Sequence, residues 1–213
     1  MSNMSDLVNI LRSIPGYILN PAETYEKNRN ESYSYAVAIF VILYAAIFLL
    51  SGFLVVIYNI LSWGSGDPVF LFLLLFIWFG SYGLLCLVEI PIILVVIHFA
   101  SKFGNKSAGF VDSFKITFIG CAFFIFIIGF IVLINVILII VCENYNSDSL
   151  EYLIQYPLYI LATLCFIRVS AEGIRTLHGL SKLKSYAIAV ISILAAYFVM
   201  CFVWFQIVGI FLV

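Results

Sequence analysis

The sequence predicts an all-α membrane protein, a bundle of five transmembrane helices preceded by short amphipathic helices. Three observations carry this prediction. Hydrophobic residues make up 65% of the 213 and charged residues only 10%, whereas a soluble domain carries about 25% charged residues. Five long apolar runs follow one another, roughly Tyr35–Leu61, Pro68–Phe99, Ile116–Cys142, Tyr152–Ile174 and Tyr186–Val213. Each exceeds the roughly 20 residues that a helix needs to cross about 30 Å of hydrocarbon. None alternates apolar and polar residues as a barrel strand does. A helix, by contrast, satisfies every backbone N–H and C=O within its own segment. Residues 1–33 therefore form a cytoplasmic amphipathic segment, and 34–213 a single five-helix membrane domain.

In the N-terminal segment, Leu7, Ile10, Leu11 and Ile14 recur at i, i+3, i+4, i+7, one face of a helix. Pro15-Gly16 is expected to break it. Asn20-Pro21-Ala22-Glu23 reads as an N-cap, a proline at the first helical position and a capping glutamate. A second short helix then runs through Tyr25 toward Arg29. These helices either lie on the cytoplasmic membrane surface or pack beneath the bundle. No apolar signal core precedes the first run, because Asn9, Arg12 and Ser13 interrupt Leu7 to Ile14, so the first span is expected to act as an uncleaved anchor.

The second run, at 32 residues, is too long to stand upright and must tilt, kink or protrude. Pro91 removes a hydrogen bond to the carbonyl of Leu87 and supplies a place for a kink. Gly80-Ser81-Tyr82-Gly83, and Ser192 with Ala196, put small residues where helices approach closely. The fourth run is the least apolar, with Gln155 and Pro157 near one end and Arg168 and Glu172 near the other. Beyond it, Gly179 is expected to close the helix in a positive-φ conformation.

Orientation follows from charge. The ten Lys and Arg residues fall in the N-terminal segment (Arg12, Lys27, Arg29), the second loop (Lys102, Lys106, Lys115) and the region around the end of the fourth run (Arg168, Arg175, Lys182, Lys184). The first and third loops and the C-terminus hold Asp67, Glu143, Asp148 and Glu151 instead. The excess of basic residues on cytoplasmic loops predicts the N-terminus inside and the C-terminus outside. The net charge of −1 selects no partner, and without a basic stripe or motif no nucleic acid is expected. The five cysteines form no CxxC pair and read as small apolar residues.

Glu89 is the first residue that carries chemistry. With its span centred near Leu84, it lies about 7 Å to the cytoplasmic side of the midplane, where a carboxylate costs several kcal/mol unless paired, wetted or protonated. It should face the bundle interior, toward the third or fourth helix. Three readings follow: a neutral, hydrogen-bonded packing group, an ion pair with Arg168, or a transport group. Arg168, Glu172 and Arg175 recur at i, i+4, i+7, and Arg168 with Glu172 has the spacing of a helical ion pair. Arg175, His178, Lys182 and Lys184 form a candidate cytoplasmic patch for a partner or for lipid headgroups. His98, His178, Asp112 and Glu172 share one side, but their spacing does not support a metal site. No catalytic motif occurs, so neither enzyme activity nor a cofactor is expected.

The turn between the last two runs reads Glu172-Gly173-Ile174-Arg175-Thr176-Leu177-His178-Gly179-Leu180-Ser181-Lys182-Leu183-Lys184-Ser185-Tyr186-Ala187. It resembles the same turn in the Yip1 membrane-protein family, where a His-Gly-hydrophobic-Ser-basic stretch precedes the last span. Leu19-Asn20-Pro21-Ala22-Glu23-Thr24-Tyr25 is similar to that family's Asn-Pro entry before the first span. The resemblance implies five spans with the N-terminus inside, and a scaffold or adaptor role in the membrane. Longer eukaryotic members are tied to vesicle traffic and small GTPases. With only about 33 residues before its first span, this chain resembles the short prokaryotic members, so GTPase binding is not expected and a prokaryotic plasma membrane is. The expected partners are membrane lipids, other membrane proteins or a second copy. The alternative function is a small transporter, channel or lipid-translocating protein using Glu89.

Overall fold

The computed structural model describes residues 4–61, 88–141 and 147–211, all helices and short connections. Helix α1 is Met4–Leu19, α2 Pro21–Lys27 and α3 Tyr33–Leu61. Helix α4 covers 88–104. Helices α5, α6 and α7 are Phe110–Val141, Ser147–His178 and Lys182–Phe211. Four of these, α3, α5, α6 and α7, are long and apolar enough to cross a membrane. The expected fifth span is the Pro68–Phe99 run, whose first part lies outside the described residues, as do Gly80-Ser81-Tyr82-Gly83 and the carbonyl side of the expected Pro91 kink.

The long helices are longer than the apolar runs that announce them. Helix α5 begins six residues before Ile116, and α7 four before Tyr186. At 29 to 32 residues they extend about 44–48 Å, against about 30 Å of hydrocarbon. The surplus of about 14–18 Å is shared between the two ends. Asp112 and Lys115 stand in the first turns of α5 at the basic end, which bears the 105–109 loop and the 179–181 turn, whereas Asp148 and Glu151 stand in the first turns of α6 at the opposite end. The far ends of α5 and α7 stay apolar, whereas the near end carries Asp112, Lys115, Arg175 and Lys182. All the lysines and arginines lie toward this basic end.

Small side chains lie among the large ones between the helices. Ala36, Ala122, Ala162, Ala171, Ala189 and Ser192 are buried. In lipid no hydrophobic force drives helices together, so close van der Waals contact between small residues must do so.

The N-terminal helices pack into the bundle, the second of the two expected arrangements. Ile10, Tyr17 and Tyr25 belong to the same core as Ile116, Ile119 and Phe123 of α5 and Val169 and Ile174 of α6. Tyr17 stacks edge-on against Tyr25, with ring centroids 5.0 Å apart, and packs against Phe123. Gly173 makes this docking possible: a Cβ there would lie 2.8 Å from Tyr25 Cζ. Lys115 is buried, and its Nζ donates 2.7 Å to the carbonyl of Arg29 just beyond α2. Tyr35 of α3 donates to Ser13 of α1. Burial pushes the pKa of the Tyr17 and Tyr25 phenols well above the ordinary value, so both stay neutral.

Two local expectations are corrected. Pro15-Gly16 does not break α1, which continues to Leu19. Pro15 is exposed on the outward face, where the carbonyl it frees can meet water or headgroups rather than a dry core. Asn20 occupies the N-cap position of α2 with Pro21 in the first turn, but its side chain caps nothing. Its amide instead donates to the Gly16 carbonyl and its carbonyl accepts from Thr24, so α1 runs almost without interruption into α2.

Candidate functional site

At the basic end three helices are tied together through one serine. Ser113 Oγ lies 3.1 Å from His178 Nε2, 3.3 Å from His98 Nδ1 and 3.1 Å from the carbonyl of Gly109. The carbonyl only accepts, so the hydroxyl proton goes there and both imidazoles donate to the oxygen. His178 is 2% exposed, and its Nδ1 has no partner among the described residues. Asn105 Nδ2 donates 2.7 Å to the His178 carbonyl, which fastens the 105–109 loop to the end of α6. Gly179 then leaves the helix at φ +66°, as expected. Among the described residues no three His, Cys, Asp or Glu side chains could share a metal ion.

The candidate patch divides on this geometry. His178 points inward and is not part of the surface, a correction to its expected place there. Its neighbour Ser113, with no charge and no motif around it, gave no signal in the sequence. Lys182 and Lys184 are exposed. Arg175 is exposed as well but holds Glu172 at 3.0 Å, and Tyr186 donates to the same carboxylate. The expected Arg168–Glu172 pair does not form. Arg168 Nη2 instead donates 3.1 Å to the carbonyl of Leu19, a free acceptor at the end of α1.

Two apolar side chains that the sequence reading passed over complete this face. Phe103 is 94% and Leu183 83% exposed. They stand at adjoining connections, since Gly104 packs on Leu180 and Asn105 bonds to His178. Lys102 precedes Phe103, and Lys182 and Lys184 flank Leu183. The available signal was a large apolar residue next to lysine outside every apolar run.

Glu89 lies elsewhere. It is half-buried and lines a cavity of about 20 Å³ with Ile93 of α4, Cys121 and Phe124 of α5, Phe166 of α6, and Ile193 and Tyr197 of α7. It thus faces α5 and α6, which hold the third and fourth apolar runs, and α7. Arg168, occupied at Leu19, is not its partner. The cavity is about 20 Å from the basic end along each helix. Arg168 is at a similar level on another flank, with its guanidinium exposed.

Neither the curated proteins nor the solved structures provided a match to the chain. The family model of the Yip1 domain matches residues 16–205. That span includes α2, the basic end with its His178-Gly179 turn, and the Glu89 cavity, and the chain is therefore a multi-pass integral membrane protein of the Yip1 family.

Proposed function

We propose that the protein is a non-enzymatic membrane scaffold that recruits a partner to its basic end. The observation that carries this reading is the pair Phe103 and Leu183, exposed at 94% and 83% and flanked by Lys102, Lys182 and Lys184. The two tips stand at adjoining connections, so one partner segment can cover both. Here the surrounding charge suits an acidic, amphipathic partner segment, with lysines steering the encounter and the apolar tips anchoring it. The absence of basic residues from the opposite loops supports a cytoplasmic orientation of this end, and the short N-terminal segment supports a prokaryotic plasma membrane. Arg175, Lys182 and Lys184 also suit anionic headgroups, which attract basic residues near the membrane. The cavity at Glu89 has room for about one water molecule. Among the described residues, its size supports a binding group over a conduit.

Photo-crosslinking amino acids at 103 and 183, compared with a lipid-facing control at 198, test the proposal in cells. Discrete protein adducts at 103 and 183 that disappear when Lys182 and Lys184 are both changed to Glu are expected. Lipid adducts alone at all three positions would contradict recruitment.

A further inference from the structure

The hairpin of α1 and α2 bounds a polar cleft of about 550 Å³, within the roughly 300–1,000 Å³ of small-molecule sites. Asn9 and Arg12 of α1, Asn20 at the elbow, Glu23 and Lys27 of α2, and Glu31 just beyond it line the cleft. The two helices meet closely at its floor, where a Cβ on Gly16 would lie 2.6 Å from Thr24 Oγ1. Two cations and two carboxylates thus face one volume. None of the ion pairs among the described residues includes any of the four, and the Asn20 side chain caps nothing. Equal numbers of opposite charges suit a zwitterion. A simple anion would be opposed by the two glutamates, and a simple cation by Arg12 and Lys27.

The surroundings of the cleft select which zwitterion. Tyr35, in the first turn of α3, donates to Ser13, the neighbour of Arg12. Lys115, near the start of α5, donates to Arg29, just past Lys27. The cleft therefore lies beside the starts of two candidate spans, Tyr33–Leu50 and Phe110–Phe130, where polar headgroups border the hydrocarbon. The faces of α1 point the same way. Ile10 and Ile14 pack in the core, whereas Leu7, Val8, Leu11 and Pro15 are exposed. Arg12 stands on the border of that apolar side. Its helical neighbours three and four residues away are Val8 and Pro15 on the apolar side, and Asn9 and Gly16 on the cleft side. At the other border of the apolar side, an apolar groove of about 440 Å³ opens between Leu7 and Val37 and Val41 of α3. A soluble zwitterion would use the cleft alone. A phospholipid uses the cleft, the apolar side and the groove.

We propose that the α1–α2 cleft binds the headgroup of a zwitterionic phospholipid from the leaflet at the basic end, with its phosphate at Arg12 and Lys27 and its ammonium at Glu23 and Glu31. The acyl chains cover Leu11 and lie in the groove against α3.

The test uses full-length protein in nanodiscs of equal parts dioleoyl phosphatidylethanolamine and dioleoyl phosphatidylglycerol. Native mass spectrometry counts the lipids retained on release. The readout is the ratio of ethanolamine to glycerol lipid in each variant relative to the wild type, in which lipids held by lysines elsewhere cancel. Glu23→Gln combined with Glu31→Gln is expected to lower the ratio roughly tenfold, the worth of one charge-assisted hydrogen bond. Arg12→Gln combined with Lys27→Gln is expected to lower the amount of ethanolamine lipid retained by a similar factor. All four side chains are exposed, so the packing of the hairpin does not depend on them. Asn9→Trp, which fills the cleft and keeps the four charges, is expected to lower the ratio too and stands in should a double variant fail to fold. A ratio unchanged by the glutamate pair or by Asn9→Trp, or ethanolamine lipid retained equally without Arg12 and Lys27, would overturn the proposal. Displacement of the lipid by soluble glycerophosphoethanolamine at millimolar concentration would overturn the lipid assignment in favour of a soluble zwitterion. None of these changes touches Phe103, Leu183 or the lysines beside them, so the result leaves the recruitment reading to its own test.

Discussion

Replacing Gly173 by alanine should detach the N-terminal helices. The new methyl carbon would stand 2.8 Å from Tyr25 Cζ, 2.9 Å from Cε2 and 3.0 Å from Ile116 Cγ1. Those approaches are too short to persist, and the ring cannot swing aside, because Tyr25 is 2% exposed and braced by Tyr17. Overpacking of this kind costs about 1–3 kcal/mol. Alanine returns up to about 1 kcal/mol through its better helix propensity. With buried side chains on two sides, the net loss should be about 1–2 kcal/mol, borne by the α2–α6 contact. That corresponds to a roughly 5–30-fold rise in the open population of the N-terminal helices. Hydrogen exchange in nanodiscs reads it directly: amides of 22–27 should exchange faster by that factor while those of α5 and α6 keep their protection. Adding Tyr25→Leu should recover part of the loss, since the two sites are coupled. Unchanged exchange over α2, or equal acceleration throughout the bundle, would refute the reasoning.

Other perturbations probe separate contacts. Lys115→Met leaves the Arg29 carbonyl without its buried donor and should cost about 1–3 kcal/mol, seen as faster tryptic cleavage after Arg29. Gly179→Ala forces a side chain into φ +66° and should lower stability by about 1–2 kcal/mol, with Gly179→Asn milder in the same thermal melt. A single cysteine placed within 144–148 should react with an impermeant thiol reagent from outside intact cells, and one within 104–107 should not; reversed labelling would invert the proposed orientation.

Hydropathy made the spanning segments legible, because about 20 apolar residues in sequence have few other uses. It did not show where the helices end. The residues 110–115 read as loop because of Asp112 and Lys115, yet they continue α5: Ser113 bonds back to Gly109, and Lys115 finds a carbonyl to bury against. Likewise, the heptad-like spacing of Leu7, Ile10, Leu11 and Ile14 suggested one apolar face. Ile10 and Ile14 do face the core, but Leu7 and Leu11 are 43% and 47% exposed. A helix packed at a membrane edge can be apolar on both sides, so the moment alone does not say which side meets protein. The positive φ of Gly179 was legible because few residues but glycine end a helix that way cheaply. The inward turn of His178 was not, since it depends on Ser113, which is 65 residues away in the chain.

The docking of α1 and α2 sets a problem of timing during synthesis. Leu19 and its partner Arg168 are 149 residues apart, and Tyr25 waits almost as long for Gly173. At roughly 5–20 residues per second, the N-terminal helices spend on the order of 10–30 s with Ile10, Tyr17 and Tyr25 uncovered before α6 exists to receive them. Until then the membrane surface is the natural place for the apolar face of α1, and both sides of that helix suit it. The first helices to leave the ribosome thus cannot reach their final position until α6 has followed them.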